Sequence, residues 1–573
     1  MKSNKRTASR LNSQIGMLML PFSVLLPTIG IHAEAANESI GRVGNTVELA
    51  EITVTARSLK EPQREVPFSI SVFDSGTLEG SRIFQTEDLF RSAPNFNFTD
   101  SGIPEANLLN IRGVGSSSTF LSPSVVYYID GVPVQARAFD TQFLDVAQIE
   151  ILRGPQGTLF GQSAQAGAVH ITTKAPVSES EVAINGSYGS YDAARLTTAV
   201  TGALSEDLTG RISVVYFERD GDIDNATFTA PGVFTSEEVI RERESLGVSG
   251  KLQYTPTSST RLTLSGSIQT DDQNPTTGLL VNDDVFPINA LNPIPENELD
   301  VYRASLRLEH DIGDIEFTSI TGYEHYDLGL LADISDGFIA SANTGFSASA
   351  FAFPNNIRNI DEDSTQLSQE FCFHGEYGNT STWVGGLSGL HSDFESSTAV
   401  TSIALPSGTY TGEVERNNVA VFGETTYALT DDLRIIAGAR VTWEESRLDG
   451  KWIGSGPPSV ASFNESGAFD SVFATGRLGV SFDLNERLTT FATIARGEKP
   501  GGFPFFNQGA AFANPIDAFG EATTWSYEAG LKGSFADGKF SFAASIFYND
   551  NSDEQFFIFN PLVGQFQVEN ANS

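Results

Sequence analysis

The 573-residue chain has one cysteine, Cys372, and only three methionines and four tryptophans. A single cysteine excludes an intramolecular disulfide framework, and Cys372 reads as a small apolar strand residue with no catalytic role. Positive charge is scarce: 35 Lys and Arg stand against 72 Asp and Glu, a net charge of −37. Such a chain would be repelled by a phosphate backbone, which argues against nucleic-acid binding; an acidic surface that keeps loops soluble accounts for the excess. After Ile31 no apolar run approaches the ~20 residues of a spanning helix, and only 40% of the residues are hydrophobic. A helical membrane bundle is thereby excluded, so any embedding in lipid must use strands, in which only alternate residues face the bilayer. Catalytic signatures are missing as well. There is no Walker loop, no HExxH and no GxSxG elbow, so the chain does not read as an enzyme.

What is present begins with an export signal. Lys2, Lys5, Arg6 and Arg10 form a basic start, Ile15 to Ile31 is mostly apolar, and Ala33-Glu34-Ala35 supplies small residues for cleavage. Residues 1–35 are therefore expected to be a signal peptide, followed by a leader over 36–56. The leader ends in Glu51-Ile52-Thr53-Val54-Thr55-Ala56, whose apolar and β-branched residues favour an extended strand. No neighbouring pattern offers it a partner, and a lone strand seeks an edge elsewhere. About a hundred residues later comes Ile151-Leu152-Arg153-Gly154-Pro155-Gln156-Gly157-Thr158-Leu159-Phe160-Gly161. Gly154, Gly157 and Gly161 around Pro155 suit tight turns and close backbone packing.

Residues 57–176 read as a compact α/β domain. Val66 to Val72 alternates as a strand, Thr86 to Arg91 as a capped helical turn stopped near Pro94, and Val146 to Glu150 as a helix. Leu109 to Gly113 and Val125 to Pro133 read as buried strands ending in turns, the second around the Asp130-Gly131 pair typical of a tight reversal. His170 beside a strand is read as structural.

Residues 177–573 form the second part, and from Val182 onward the period becomes two. Val248, Gly250, Leu252 and Tyr254 alternate with Ser249, Lys251, Gln253 and Thr255, and Leu262 to Ile268 repeats the pattern after a short turn. Short turns at 430–432, 484–487 and 536–538 alternate with long stretches at 220–245, 271–300 and 327–364, the asymmetry of a membrane β-barrel. Tyr254, Tyr323, Tyr326, Tyr427 and Trp443 are expected in interfacial girdles. The stretch 271–300 holds seven carboxylates and no Lys or Arg; three readings stand side by side, repulsion of an anionic ferric complex within a Debye length of ~8 Å, a solvated loop, or a holder of divalent cations at the lipopolysaccharide surface.

Taken together, Glu51 to Ala56, the Ile151 to Gly161 motif, and the later segments Phe491 to Phe503 and Trp525 to Lys532 resemble a TonB-dependent outer-membrane receptor of the iron-complex or siderophore type. The likeness covers nearly the whole mature chain. It implies an α/β plug inside a transmembrane antiparallel β-barrel of 22 strands; roughly 15–16 are counted here, so the chain is expected to be C-terminally incomplete. It makes Glu51, Ile52, Thr53, Val54, Thr55 and Ala56 the TonB-coupling residues, and Arg112, Gly113, Asp130, Gly131, Arg153, Gly154, Pro155, Gly157 and Gly161 the plug motif. One departure stands out: where the family has Asn, a Gly-Gly pair and Ala-Ile-Asn, this chain has Ser163, Ala166 and His170 near those places.

The resemblance further implies a monomer in outer-membrane lipid and lipopolysaccharide, driven by TonB with ExbB and ExbD, with no resident cofactor because iron arrives within the ligand. A ferric siderophore is the first expected cargo, with cobalamin, haem or a glycan as alternatives on the same scaffold. The leader is too short for the folded domain of a transcription-signalling receptor. A passive porin has no plug or coupling segment, and a secreted β-rich adhesin has no reason for the loop asymmetry.

Overall fold

The structure is a computed structural model. It describes residues 53–54, 61–99, 108–117, 121–139, 141–161, 163–230, 233–275, 288–289, 296–333, 356–378, 381–402, 406–456, 461–504, 517–535, 540–560 and 565–571. The expected signal peptide, most of the leader, and Glu51, Ile52, Thr55 and Ala56 lie outside the described residues.

The N-terminal part forms β1 (Thr53–Val54), β2 (Glu61–Pro62), β3 (Ile70–Asp74), β4 (Phe96–Thr99), β5 (Leu108–Ile111), β6 (Val114–Gly115), β7 (Val125–Ile129), β8 (Val132–Val134), β9 (Val146–Arg153) and β10 (Gly167–Thr173). Among the described residues three short helices accompany them: α1 (Ser75–Ser81), α2 (Thr86–Phe90) and α3 (Ala136–Phe139). A five-stranded sheet runs in the order β3-β9-β10-β7-β8, with β10 and β7 parallel. Its two faces carry separate apolar cores. Ile149, Ile151 and Val169 pack with α1 and α2 residues such as Leu78 and Leu89, and Leu152 and Ala168 pack on the other face with Val54, Val66, Phe68 and Ile70.

Two sequence expectations change here. Val146 to Glu150 belongs to strand β9, because it pairs with β3 on one edge and β10 on the other, and that tertiary pairing overrides local helical preference. Alternation from Val66 becomes a strand only at Ile70, since Pro67 lacks a ladder donor. The helical turn stands as α2, capped reciprocally by Gln85 and Asp88.

The wall follows. Its ladder comprises β11 (Glu181–Tyr188), β12 (Ala194–Ala203) and β13 (Leu208–Arg219), then, beyond the hairpin β14 (Ile223–Ala230) and β15 (Val233–Ile240), β16 (Arg243–Thr257) and β17 (Thr260–Gln273). After the two-residue β18 (Ile288–Asn289) come β19 (Glu296–Ile312), β20 (Ile315–Asp333), β21 (Asn356–Tyr377), β22 (Ser381–Ser402) and β23 (Gly408–Ala428). The last are β24 (Leu433–Gly454), β25 (Phe463–Asn485), β26 (Leu488–Lys499), β27 (Ala522–Phe535) and β28 (Phe540–Ser552), with a separate hairpin of β29 (Glu554–Asn560) and β30 (Gln565–Ala571). Among the described residues the wall is one 15-stranded antiparallel sheet, and no ladder joins β11 to β28.

Alternation sorts the faces. On β23 Val419, Val421 and Tyr427 are exposed while Val414, Ala420 and Phe422 are buried; on β24 Val441 and Trp443 are exposed while Arg440 and Thr442 are buried. Tyr254, Tyr323, Tyr427 and Trp443 are outward, as expected of a girdle, but Tyr326 is 2% exposed and packs inward beside Ala138 of the N-terminal part. Its position three residues from Tyr323 puts it on the opposite face. The long stretches are also shorter than the sequence suggests, because β17, β19, β20 and β21 run well into them. Asp271 is paired with Arg243 at 2.7 Å rather than left to solvent.

Candidate functional site: the plug and wall interface

Two hairpins of the N-terminal part share the pattern Ile-x-Gly-Val. Ile111 faces Val114 across Arg112-Gly113, and Ile129 faces Val132 across Asp130-Gly131. All four central residues have positive φ, at 57° and 80° in the first turn and 51° and 84° in the second. That is the type I′ geometry, which matches strand twist and needs two left-handed residues. For Arg112 and Asp130 the conformation costs roughly 1–2 kcal/mol each, so something must hold them.

In both turns the holding group is a charge on the wall. Arg112 Nη2 donates to Glu528 Oε1 at 2.8 Å and Nη1 to Oε2 at 3.2 Å, with both side chains buried and the guanidinium 4.3 Å from the Phe547 ring centre. Asp130 Oδ2 accepts from Lys251 Nζ at 2.8 Å and from Thr173 Oγ1 at 2.7 Å, while Oδ1 accepts from the Thr173 amide at 2.9 Å. The two tips carry opposite charge and engage β27 and β16. A bidentate, buried Arg–carboxylate pair fixes orientation as well as position.

Arg153 behaves differently. Its Nε donates to Pro94 O at 2.7 Å, and its two Nη atoms to Ser69 Oγ at 3.2 Å and Ser71 Oγ at 2.6 Å, so all its bonds stay within the domain. Burial first, and then neighbouring Arg112, push this guanidinium down to about 10. The sequence marks these three charged residues alike; the structure gives two of them to the wall and one to internal packing.

The motif glycines mark close approaches. A Cβ on Gly154, which has φ +82°, would stand 3.2 Å from Arg112 Nη1; one on Gly157 would stand 2.9 Å from Thr475, and one on Gly161 2.9 Å from Arg440 Nη2. Pro155 O accepts from Arg477 Nη2 at 3.1 Å, and that guanidinium also lies 4.3 Å from the Phe68 ring centre.

The strand expected to couple to TonB is not alone, contrary to the expectation. Thr53 and Val54 pair antiparallel with Pro62 and Glu61, nine and seven residues on, where a Pro-containing segment gives no strand signal in sequence. Val54 is 1% exposed in the second core, and Gln148 of β9 donates to Thr53 O at 3.1 Å. The same end of the domain is tied to the short-turn end of the wall: Lys532 Nζ donates to Gln63 O at 3.0 Å and Val66 O at 2.7 Å, and Arg64 Nη1 donates to Glu486 O.

Sequence reasoning did not single out Glu528, Lys251, Lys532, Arg440 or Arg477. A signal existed: each lies on the face of its strand opposite the lipid-facing apolar residues, as Glu528 does opposite Trp525 and Tyr527, and a charge there must meet the domain inside. His170 is 3.6 Å from Glu150 inside the domain. Among the described residues one group has metal-binding spacing, His325, Asp327 and Asp363; it lies on the outward face of β20 and β21, away from this interface.

Comparisons with known proteins agree with this architecture. Residues 62–168 match the family model of the TonB-dependent Receptor Plug Domain, and residues 249–573 that of the TonB dependent receptor-like, beta-barrel. The chain is similar to the pesticin receptor of Yersinia enterocolitica, 25% identical over 540 residues that cover 92% of this chain and 74% of that one. It is also similar to the ferric-pyoverdine BN7/BN8 receptor of Pseudomonas putida, 21% identical over 84% of this chain and 60% of that one. The crystal structure of the ferric yersiniabactin uptake receptor FyuA from Yersinia pestis superposes with a TM-score of 0.76 at 21% identity, covering 86% of this chain and 73% of that one, a likeness of fold.

Proposed function

This chain belongs to the family of TonB-dependent receptors, outer-membrane β-barrels with an internal plug that are receptors and not enzymes, and on that premise we propose that it binds a ferric siderophore at the outer face and imports it into the periplasm. Relatives named for ferric pyoverdine, together with the fold of a ferric yersiniabactin uptake receptor, support this ligand class. The observation that carries active import is how the coupling strand is seated. Val54 sits in the same core as Ile70 and Leu152, and Gln148 ties Thr53 to β9, the strand next to the centre of the plug sheet. A pull on residues 51–56 is therefore delivered directly to the sheet that blocks the lumen. Force would come from TonB, by strand addition to Glu51 to Ala56, with ExbB and ExbD supplying it from the inner membrane. Iron enters as cargo, with no resident cofactor, and the receptor works as a monomer in lipid and lipopolysaccharide.

Ferric yersiniabactin and ferric pyoverdine labelled with radioactive iron test this reading. Uptake is expected to require TonB. The Val54→Pro variant, which removes a backbone donor and fixes φ, is expected to lose uptake while cells still bind the chelate at the surface. Normal uptake in that variant would remove the coupling role from Glu51 to Ala56.

A further inference from the structure

Toward its long-loop end the outward face of the wall turns from apolar to acidic. On β20 the exposed Tyr323 is followed on the same face by His325 and Asp327, and on β21 the exposed Leu367 is succeeded in that direction by Thr365 and Asp363. The ladder sets carboxylates directly opposite one another across six neighbouring strands: Asp300 opposite Asp327, Asp327 opposite Asp363, Asp363 opposite Glu395, Glu395 opposite Glu413, and Glu413 opposite Asp449. Such pairs stand roughly 4.5–5.5 Å apart at Cβ, where like charges destabilise a sheet. Acidity alone does not select a cation, and most of this row is solvated carboxylate. At one place, however, the row meets a nitrogen ligand.

His325 and Asp327 on β20 stand directly opposite Thr365 and Asp363 on β21, four corners of two cross-strand pairs on one face. His325 Nε2 lies 3.2 Å from Asp327 Oδ2 and 3.8 Å from Asp363 Oδ2, and the ligand atoms of the three side chains all lie within 4.8 Å of one another. A tetrahedral zinc ion with bonds of ~2.0–2.1 Å separates its ligand atoms by ~3.3 Å, so turning side chains is enough to close the set. The two carboxylates, each 54% exposed, are free to turn. The imidazole is held: Nδ1 lies 3.0 Å from Thr365 Oγ1, and the ring centre lies 5.9 Å from that of Tyr302. With Nδ1–H donating to the hydroxyl, Nε2 presents its lone pair to the carboxylates, the way an outer partner fixes the tautomer and orientation of a metal-bound histidine. Among the described residues neither Asp327 nor Asp363 has a Lys or Arg within 4.0 Å to compete for it. His391 provides a contrast on β22. Its Nε2 lies 3.0 Å from Asp393 Oδ2 and its Nδ1 2.8 Å from Asn417 Oδ1, yet among the described residues no second carboxylate completes a group of three there.

We propose that His325, Asp327 and Asp363 form a binding site for a divalent transition-metal ion of the zinc type on the outer surface of the wall, with Thr365 as a positioning residue. Imidazole favours zinc, copper or nickel, whereas magnesium and calcium favour shells of oxygen alone. Three protein ligands leave a coordination position open outward, to water. The ion ties β20 to β21 and offsets the repulsion where Asp327 faces Asp363. The site lies outside the lumen, so it goes beyond the reading of the chain as an importer and stands whatever the cargo is.

Equilibrium dialysis of the whole chain against radioactive zinc, with magnesium in large excess to occupy the other carboxylates, tests the site. The wild type is expected to retain zinc under these conditions. Thr365→Val leaves all three ligands in place and is expected to weaken zinc about 10–100-fold, the usual effect of removing an outer partner. His325→Ala and the shape-conserving Asp363→Asn are expected to weaken it further, and His391→Ala to leave it unchanged. Equal affinity in the wild type and His325→Ala, or a loss in His391→Ala as large as in His325→Ala, overturns the site. Unchanged affinity in Thr365→Val overturns the hold of that hydroxyl on the ring. Zinc is measured without any siderophore, so failure of the import reading leaves this result untouched.

Discussion

In the plug, β9 and β10 turn Ile149, Ile151 and Val169 into one apolar core and Leu152 and Ala168 into another. In the wall, β23 and β24 turn Val419, Val421 and Trp443 outward and keep Glu424 and Arg440 inside. Both regions are strands with a period of two, yet one buries apolar residues on both faces and the other exposes them on one. The solvent on each face makes the difference: lipid tolerates an exposed valine, and the lumen tolerates a buried arginine only where the plug or a ligand meets it. The two regions are joined by polar and charged contacts, chiefly Arg112 with Glu528 and Asp130 with Lys251.

The sharpest way to break this comparison is to cut the joint. Removing one partner of a buried ion pair costs about 3–5 kcal/mol because the other charge is stranded. Glu528→Ala is therefore expected to loosen the plug, read as entry of large antibiotics into cells at equal receptor abundance. Arg153→Ala, whose bonds stay inside the plug, is expected to destabilise the plug without the same leak; an equal leak would show that Arg153 also acts on the wall.

A smaller effect tests the lipid-facing half. Val421→Lys places a charge on the outward face of β23, at an expected cost of about 2–4 kcal/mol if it lies near the bilayer midplane. The shift of the unfolding midpoint in urea, measured in lipid, checks it. A neutral result would mean that this face does not meet hydrocarbon.

The smallest expected effect belongs to the plug alone. Asp74 caps α1, accepting from the Thr77 amide at 2.7 Å, and its carboxyl is held below the usual range by the hydrogen bonds to Thr77. Because the folded value lies below the unfolded one, the cap's contribution is present above about pH 4 and is lost as pH falls through the folded value. Asp74→Ala is expected to cost about 0.5–1 kcal/mol at neutral pH, the low end for an exposed cap, and nothing at pH 2. The difference between the two pH values in chemical denaturation is the measurement.

The plug motif was legible because its glycines and turn pairs are local. Asp130-Gly131 reads as a tight reversal from two adjacent residues, and the α2 cap from four. Strand β9 was misread since Val146 to Glu150 has no local feature that distinguishes a short helix from a strand paired on both edges. Tyr326 was misplaced although its parity with Tyr323 was available. Glu61–Pro62 as the partner of Thr53–Val54 had no sequence signal at all.

By itself the sequence determined the class: too few apolar residues for helices in a membrane, an alternating pattern for a wall, and a Gly-rich motif for a plug. Those are properties of neighbours along the chain, and composition and period carry them. Only the tertiary structure decided that Arg112 meets Glu528, 416 positions away, and that Arg153 does not leave the plug. Such choices depend on register around a sheet and on which charge is left opposite which, and charge acts through space over a few ångströms, irrespective of separation along the chain.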